Sequence, residues 1–206
     1  MDFSFTPEQE RLRLEVRKFL QKEVTDESRL DFRFDRPYGQ DTWKLMRKLG
    51  ERGWLCPLYP KEWGGMAASP LDNYVIQDEL SKAFAPTPCA LIGAMVVGPT
   101  LLIHGNEAQK KKYLPEIAAG KRLVAFALTE ANAGSDAAGI QTTAKLDGSE
   151  YVLNGTKQWI TNGGEAEIYT VIAMTDKSRG ARGASAFIVE KGTPGFHFGK
   201  KEKKMG

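Results

Sequence analysis

Two short stretches carry the residues whose types and spacing could do chemistry. KQWITNGGEAE, residues 157 to 167, sets Trp159 and Thr161 two positions apart. In an extended run side chains alternate, so these two would share a face. An indole beside a hydroxyl suits a flat heteroaromatic ring: one offers stacking surface, the other a hydrogen bond to a ring nitrogen. A core tryptophan beside a sheet threonine fits the same spacing. LTEANAGSDAAG, residues 128 to 139, comes after the apolar run RLVAFAL and is poor in bulky side chains. Such a segment brings backbone close to a ligand or turns a corner. Taken alone, it reads as a strand-ending turn in which Asp136 caps the next segment.

Several other chemistries are excluded by the pattern. Neither G-x-G-x-x-G nor G-x-x-x-x-G-K-[ST] occurs, so there is no Rossmann turn and no P-loop. Ser135 lies in Ala133-Gly134-Ser135-Asp136, outside any G-x-S-x-G and without a nearby histidine as base, so a nucleophilic serine is not expected. His104 and His197 are far apart and form no metal constellation. Cys56 and Cys89 belong to no C-x-x-C and read as buried thiols of a reducing compartment. The net charge of +3, from 29 basic and 26 acidic side chains, is too small and dispersed to argue for nucleic acid; the basic run KKEKK at 200 to 204 reads as a solvated end. The charged N-terminus is no signal peptide, and no run reaches the roughly 20 apolar residues of a membrane span.

The elements that position these residues change period near residue 120. Before it the chain reads as helix. Thr6-Pro7-Glu8-Gln9 is a capping box with proline at the first helical position, and Leu12, Val16, Phe19, Leu20 and Val24 come after it on one face. Further helices are expected over Asp41 to Leu49, from Ser69-Pro70 to near Phe84, and from the Asn106-Glu107-Ala108-Gln109 cap through KKKYL. CALIGAMVVGPTLLIHG is apolar on nearly every face, which predicts a central helix kinked at Pro99. After Gly120, strands are expected at 122–128, 140–146, 150–153, 156–161, 168–174 and 184–190. Asp147-Gly148 and Asn154-Gly155 read as hairpin turns between three of them. The fold class is therefore α+β: an all-α domain over 1–120, then an antiparallel, barrel-like β domain over 121–206. The chain stops at KKMG inside what reads as a strand and turn, so that domain is expected to be truncated.

Taken together, LTEANAGSDAAG and NGTKQWITNGGEAE resemble the acyl-CoA dehydrogenase family, whose middle domain carries T-E-x-x-A-G-S-D on one strand end and W-I-T-N on another. IHGNEAQKKKYLP, YPKEWGG and GASAFIVEKGTPGF look like further family segments, so the resemblance covers essentially the whole chain. Asn132 departs from it, standing where many members have proline or another residue. The resemblance implies FAD as cofactor and an acyl-CoA thioester as substrate, desaturated between Cα and Cβ. Carried over by motif, Phe126, Leu128 and Thr129 would meet the flavin ring through backbone and hydroxyl groups. Gly134 and Ser135 would meet the FAD phosphates and the CoA arm. Trp159 would cover one flavin edge, Ile160 would contact it, and Thr161 would hydrogen-bond near N5. Glu130 and Asp136 are assigned to loop geometry.

Ile92 and Val96, four apart, would line the acyl tunnel by family analogy, although ordinary core accounts for the same spacing. The base is expected beyond residue 206, so no catalytic residue is assigned and residues 1–206 alone are expected to be inactive. The resemblance also implies a homo-oligomer, tetramer or dimer, and an acceptor such as an electron-transfer flavoprotein. The thiols and the charged N-terminus give the expectation of a cytoplasmic setting, or an organelle matrix after removal of a targeting segment. An acyl-CoA oxidase-type enzyme and a non-catalytic flavin- or CoA-binding subunit are the alternatives.

Overall fold

A computed structural model describes residues 4–31, 38–87 and 92–202. The chain divides into two compact units, with the boundary between Arg122 and Leu123.

The first unit is helical. α1 (Pro7–Glu23) starts on the expected box: the Thr6 hydroxyl accepts from the Gln9 amide, and the Gln9 side chain accepts from the Thr6 amide. Val16, Leu20 and Val24 turn inward. α2 (Asp26–Asp31) has no counterpart in the sequence reading; Thr25 and Ser28 cap its start reciprocally. α3 (Gln40–Glu51) buries Leu45, Met46 and Leu49. α4 (Pro70–Lys82) is capped by Ser69 and Asp72, and it meets α1 through a forked ion pair. There Arg17 donates from Nε and Nη2 to the two oxygens of Glu79, each at 2.8 Å. Glu79 is 2% exposed, and the Arg17 guanidinium holds its carboxyl below the usual range against the opposing effect of burial.

The segment expected to kink at Pro99 behaves differently. Residues Gly93–Val97 form a π turn, and α5 (Gly98–His104) continues from it with Pro99 in its first turn. A proline lacks the amide that would continue the α ladder, and the ladder widens ahead of it: the Gly98 amide reaches back five residues to the Gly93 carbonyl. The buried Tyr59 hydroxyl donates to that same carbonyl at 2.6 Å. The segment is not central on every face either, since Met95 and Ile103 are 67% and 73% exposed. Cys56, beside Tyr59, is a free thiol that burial pushes up to about 12. Cys89 lies outside the described residues. α6 (Glu107–Ala118) carries the expected Asn106–Gln109 capping box.

The second unit is a mixed sheet, open among the described residues rather than closed as a barrel. β1 (Val124–Ala127) runs parallel to β4 (Ile168–Met174), and β5 (Ala184–Glu190) runs antiparallel along the whole of β4. β2 (Thr143–Asp147) and β3 (Glu150–Asn154) form the Asp147-Gly148 hairpin. β2 joins β4 in parallel at Thr143 and Met174. The expectation of an antiparallel domain is thus half right. Because β5 occupies one edge of β4, β1 and β2 must take the other in turn. Residues 128–142 are the excursion between them, leaving and rejoining one strand edge.

The run 156–161 is no strand. After Asn154 the chain continues without regular structure, and Trp159 has φ +58°, a left-handed conformation that is an outlier for a bulky residue. Alternation therefore cannot place Trp159 and Thr161. Gly155 makes no hairpin turn; a Cβ there would lie 2.3 Å from Thr142 Oγ1, so the glycine permits a close approach. Among the described residues no helix is long and apolar enough to cross a membrane.

The contact below the π turn gives a direct stability test. A Cβ at Gly98 would lie 1.4 Å from the Tyr59 hydroxyl. Gly98→Ala should cost about 3 kcal/mol of unfolding free energy by overpacking, and Tyr59→Phe about 1 kcal/mol for the lost hydrogen bond. Urea unfolding curves measure both, and an unshifted Gly98→Ala midpoint would contradict this packing.

Candidate functional site

The exits of β1 and β3 are held together by one buried carboxylate. Directly after β1 the chain makes a tight turn, in which Glu130 and Ala133 exchange amide-to-carbonyl bonds of 3.0 and 3.1 Å. Ala133 and Ile140, at the two ends of the small-residue stretch, bury against Met174, with Leu128 and Ile172 packed alongside. Gly134, Ser135 and Asp136 between these anchors are exposed. Asn132 lies exposed inside the turn and touches none of its closing bonds.

Glu130 is 9% exposed and accepts from the Gln141 amide at 2.6 Å, from the Thr142 amide at 3.0 Å and from the Thr142 hydroxyl. It thereby fastens the start of the excursion to its end. The Lys157 ammonium adds a fourth donor, 2.7 Å from Glu130 Oε1, and also donates to the Leu128 carbonyl at 2.8 Å. Burial by itself would raise the carboxyl of Glu130. The donors of Lys157, Thr142 and Gln141 outweigh it and hold the pKa at about 2. A carboxylate so fully occupied is a fastener and a poor base.

The same contacts place the indole-bearing loop. The Gln158 amide donates to the Thr129 carbonyl at 2.8 Å, so Trp159 comes one residue after a bond to the β1 exit. The buried Asn162 side chain, itself at φ +67°, donates from Nδ2 to the Val124 carbonyl at 2.8 Å. The Gly164 amide donates to the Tyr169 hydroxyl of β4 at 2.9 Å. Between these ties Trp159 stands 64% exposed.

Of the residues singled out in the sequence, Trp159 comes one residue after the bond to Thr129, and Ile160 and Thr161 lie between it and the Asn162 tie to Val124. Phe126 and Leu128 are half-buried, and Leu128 turns its side chain into the cluster around Met174. The carbonyls of Leu128 and Thr129 are already taken by Lys157 and Gln158, so what Thr129 offers a ligand is its hydroxyl. Gly134 and Ser135 lie on the open part of the excursion; a Cβ at Gly134 would meet nothing within 4 Å. Ile92 and Val96 are half-buried at the π turn of the helical unit. Among the described residues the hydroxyls of Thr129, Ser135 and Thr161 have no hydrogen-bond partner. A projecting indole, three open hydroxyls and an unencumbered glycine are a donor set that fits a stacked ring with a polar, phosphate-bearing tail. The sequence reading missed Lys157 and Thr142. Both fall in runs read only as strands, at 140–146 and 156–161, and only the position of Glu130 directly behind an apolar strand hinted that a buried acid would need partners.

Comparison with known proteins agrees in extent with both units. The N-terminal domain model of the acyl-CoA dehydrogenases matches residues 6–121, and the middle domain model matches 125–206. The short-chain-specific acyl-CoA dehydrogenase of Clostridium acetobutylicum is 40% identical over 208 residues, covering 100% of this chain and 54% of the relative. The acyl-CoA dehydrogenase of Bacillus subtilis is 41% identical over 202 residues, covering 98% and 52%. The solved butyryl-CoA dehydrogenase of Megasphaera elsdenii superposes with a TM-score of 0.81 at 36% identity, covering 100% of this chain and 54% of that one. The chain spans about half the length of the relatives it matches.

The buried carboxylate makes stability depend on pH in a defined window. The folded pKa of Glu130 is lowered from 4.5 to about 2, so its contribution is fully present above the unfolded value and is lost as pH falls from 4.5 towards 2. Glu130→Gln should cost about 3 kcal/mol at neutral pH and flatten the acid limb of the stability profile. Chemical unfolding at several pH values measures this; an acid limb identical in parent and variant would refute it.

Proposed function

We propose that this chain, which belongs to the acyl-CoA dehydrogenase family, forms the flavin- and thioester-binding part of an FAD-dependent enzyme that desaturates an acyl-CoA between Cα and Cβ. The observation that carries the reading is the bond from the Gln158 amide to the Thr129 carbonyl, which sets the Trp159 loop against the β1 exit. FAD, when bound, supplies the acceptor for the β-hydrogen as hydride. The chain's own residues bind and orient. Trp159 offers its indole face to one edge of the isoalloxazine. The hydroxyls of Thr129 and Thr161 offer hydrogen bonds to ring heteroatoms, with Thr161 assigned near N5. Gly134 leaves room for polar groups to approach the backbone, and Ser135 offers its hydroxyl to the FAD phosphates or the CoA arm. Phe126 and Ile160 contribute apolar surface beside the ring.

The task of such a site is positional: flavin, acyl chain and base must stand in line, and the thioester carbonyl needs hydrogen bonds that strengthen as negative charge develops on it. Glu130 is not assigned as the base, because its oxygens already hold four donors. The base is assigned to the part of the relatives' length that this chain does not span. In the helical unit, Ile92 and Val96 are proposed to line the acyl-binding tunnel. The acceptor is proposed to be an electron-transferring flavoprotein. Support is that a solved structure reported as the electron-transferring flavoprotein of Acidaminococcus fermentans holds a chain 41% identical over 100% of this chain, with a TM-score of 0.81. A homo-oligomeric assembly is proposed on family grounds.

An oxidase reading has one specific observation behind it. The prolyl acyl carrier protein oxidase AnaB superposes with a TM-score of 0.84 at 32% identity, covering 98% of this chain and 53% of that one. Oxygen consumption during reoxidation separates the two readings.

The full-length protein should be yellow, with the absorption bands of oxidised flavin, and should bleach when a saturated acyl-CoA is added without oxygen. Trp159→Ala should weaken FAD binding about tenfold through lost stacking surface, read by flavin fluorescence titration. A folded protein that binds no FAD and leaves acyl-CoA unchanged would refute the proposal.

A further inference from the structure

We infer that Lys157 is a positioning residue of the site, setting the Trp159 loop against the β1 exit; the inference rests on the flavin reading above. Three consecutive acceptors at that exit, the Leu128 carbonyl, the Thr129 carbonyl and the Glu130 carboxylate, are met by two consecutive residues of the loop. Lys157 takes the first and third at 2.8 and 2.7 Å, and the Gln158 amide takes the second at 2.8 Å. The Lys157 side chain is 10% exposed and its carboxylate partner 9%, so the pair works in surroundings that screen it little.

No strand ladder fixes residues 155–161, and Trp159 sits at φ +58°, a conformation that persists only where neighbouring contacts over-determine it. Those contacts are the Lys157 and Gln158 bonds on one side and the Asn162-to-Val124 bond on the other. An apolar residue at 157 would leave the buried Glu130 charge with one donor fewer and the Leu128 carbonyl unpaired. The loop would then be free to relax the strained tryptophan away from Thr129. Lys157 itself touches no ligand; it acts through Trp159 and Thr129.

The test compares Lys157→Met with Glu79→Gln, a destabilising change in the helical unit, in the full-length protein. Two quantities are read: FAD affinity by fluorescence titration, and exchange protection of the Gln158 amide in the flavin-free protein. The expected result is an FAD dissociation constant raised about tenfold or more and a deprotected Gln158 amide in Lys157→Met, with neither change in Glu79→Gln. Should Lys157→Met fail to fold, Lys157→Gln, which keeps a neutral donor, carries the same test. A lysine variant that binds FAD as tightly as the parent overturns the positioning role, whatever its amide exchange. Equal losses of FAD affinity in the lysine variant and the Glu79→Gln control also overturn it, since general destabilisation would then suffice. A parent that binds no FAD defeats the flavin reading itself, and that result is visible before any substitution is made.

Discussion

A buried carboxylate must be either neutral or fully bonded, and Glu130 is fully bonded. Its donors come from two places in the sequence: the end of its own excursion at Gln141 and Thr142, and the exit of β3 at Lys157. That requirement decides much of the local architecture. Gly155 must lack a side chain because its backbone runs against Thr142, one of the donors. Residues 155–158 cannot form a strand while Lys157 reaches inward and the Gln158 amide meets Thr129. The irregular backbone at Trp159 results from that path.

The consequence for function is a division of labour within a few residues. Glu130, Thr142, Lys157 and Asn162 are committed to internal bonds. Thr129, Ser135, Trp159 and Thr161, interleaved with them, keep their side chains open. Polar side chains that hold the backbone so firmly let neighbouring ones stay unpaired without collapse. A loop outside any sheet can in this way present an aromatic face in a fixed place. Strain at Trp159, of order 1–3 kcal/mol for such a backbone, is tolerated only because the surrounding bonds exceed it.

Much of this is legible in the sequence, and the limits are physical. Capping boxes at Thr6 and Asn106 are local, four-residue devices, so both helix starts can be read directly. So can the Asp147-Gly148 hairpin, whose turn needs a left-handed glycine. The run 156–161 misleads because β-branched and aromatic residues in Lys-Gln-Trp-Ile-Thr carry strand propensity, whereas its path is decided by a bond to Glu130 twenty-seven residues earlier. The parallel pairing of β1 with β4 is likewise invisible, since partners forty-four residues apart leave no local signature. At Pro99 the sequence locates an irregularity but not its form: the π turn depends on Tyr59, distant in the chain, to take up the Gly93 carbonyl. The two motifs are nevertheless bonded to one another in the fold, a long-range contact that propensity does not encode.

The most direct check is a crystal structure of the full-length protein grown with FAD. The predicted result is an isoalloxazine ring against the Trp159 indole, within hydrogen-bond reach of the Thr129 and Thr161 hydroxyls, with the Lys157 ammonium still bridging Leu128 and Glu130. A flavin bound elsewhere, with Thr129, Trp159 and Thr161 facing only solvent or protein, would contradict it.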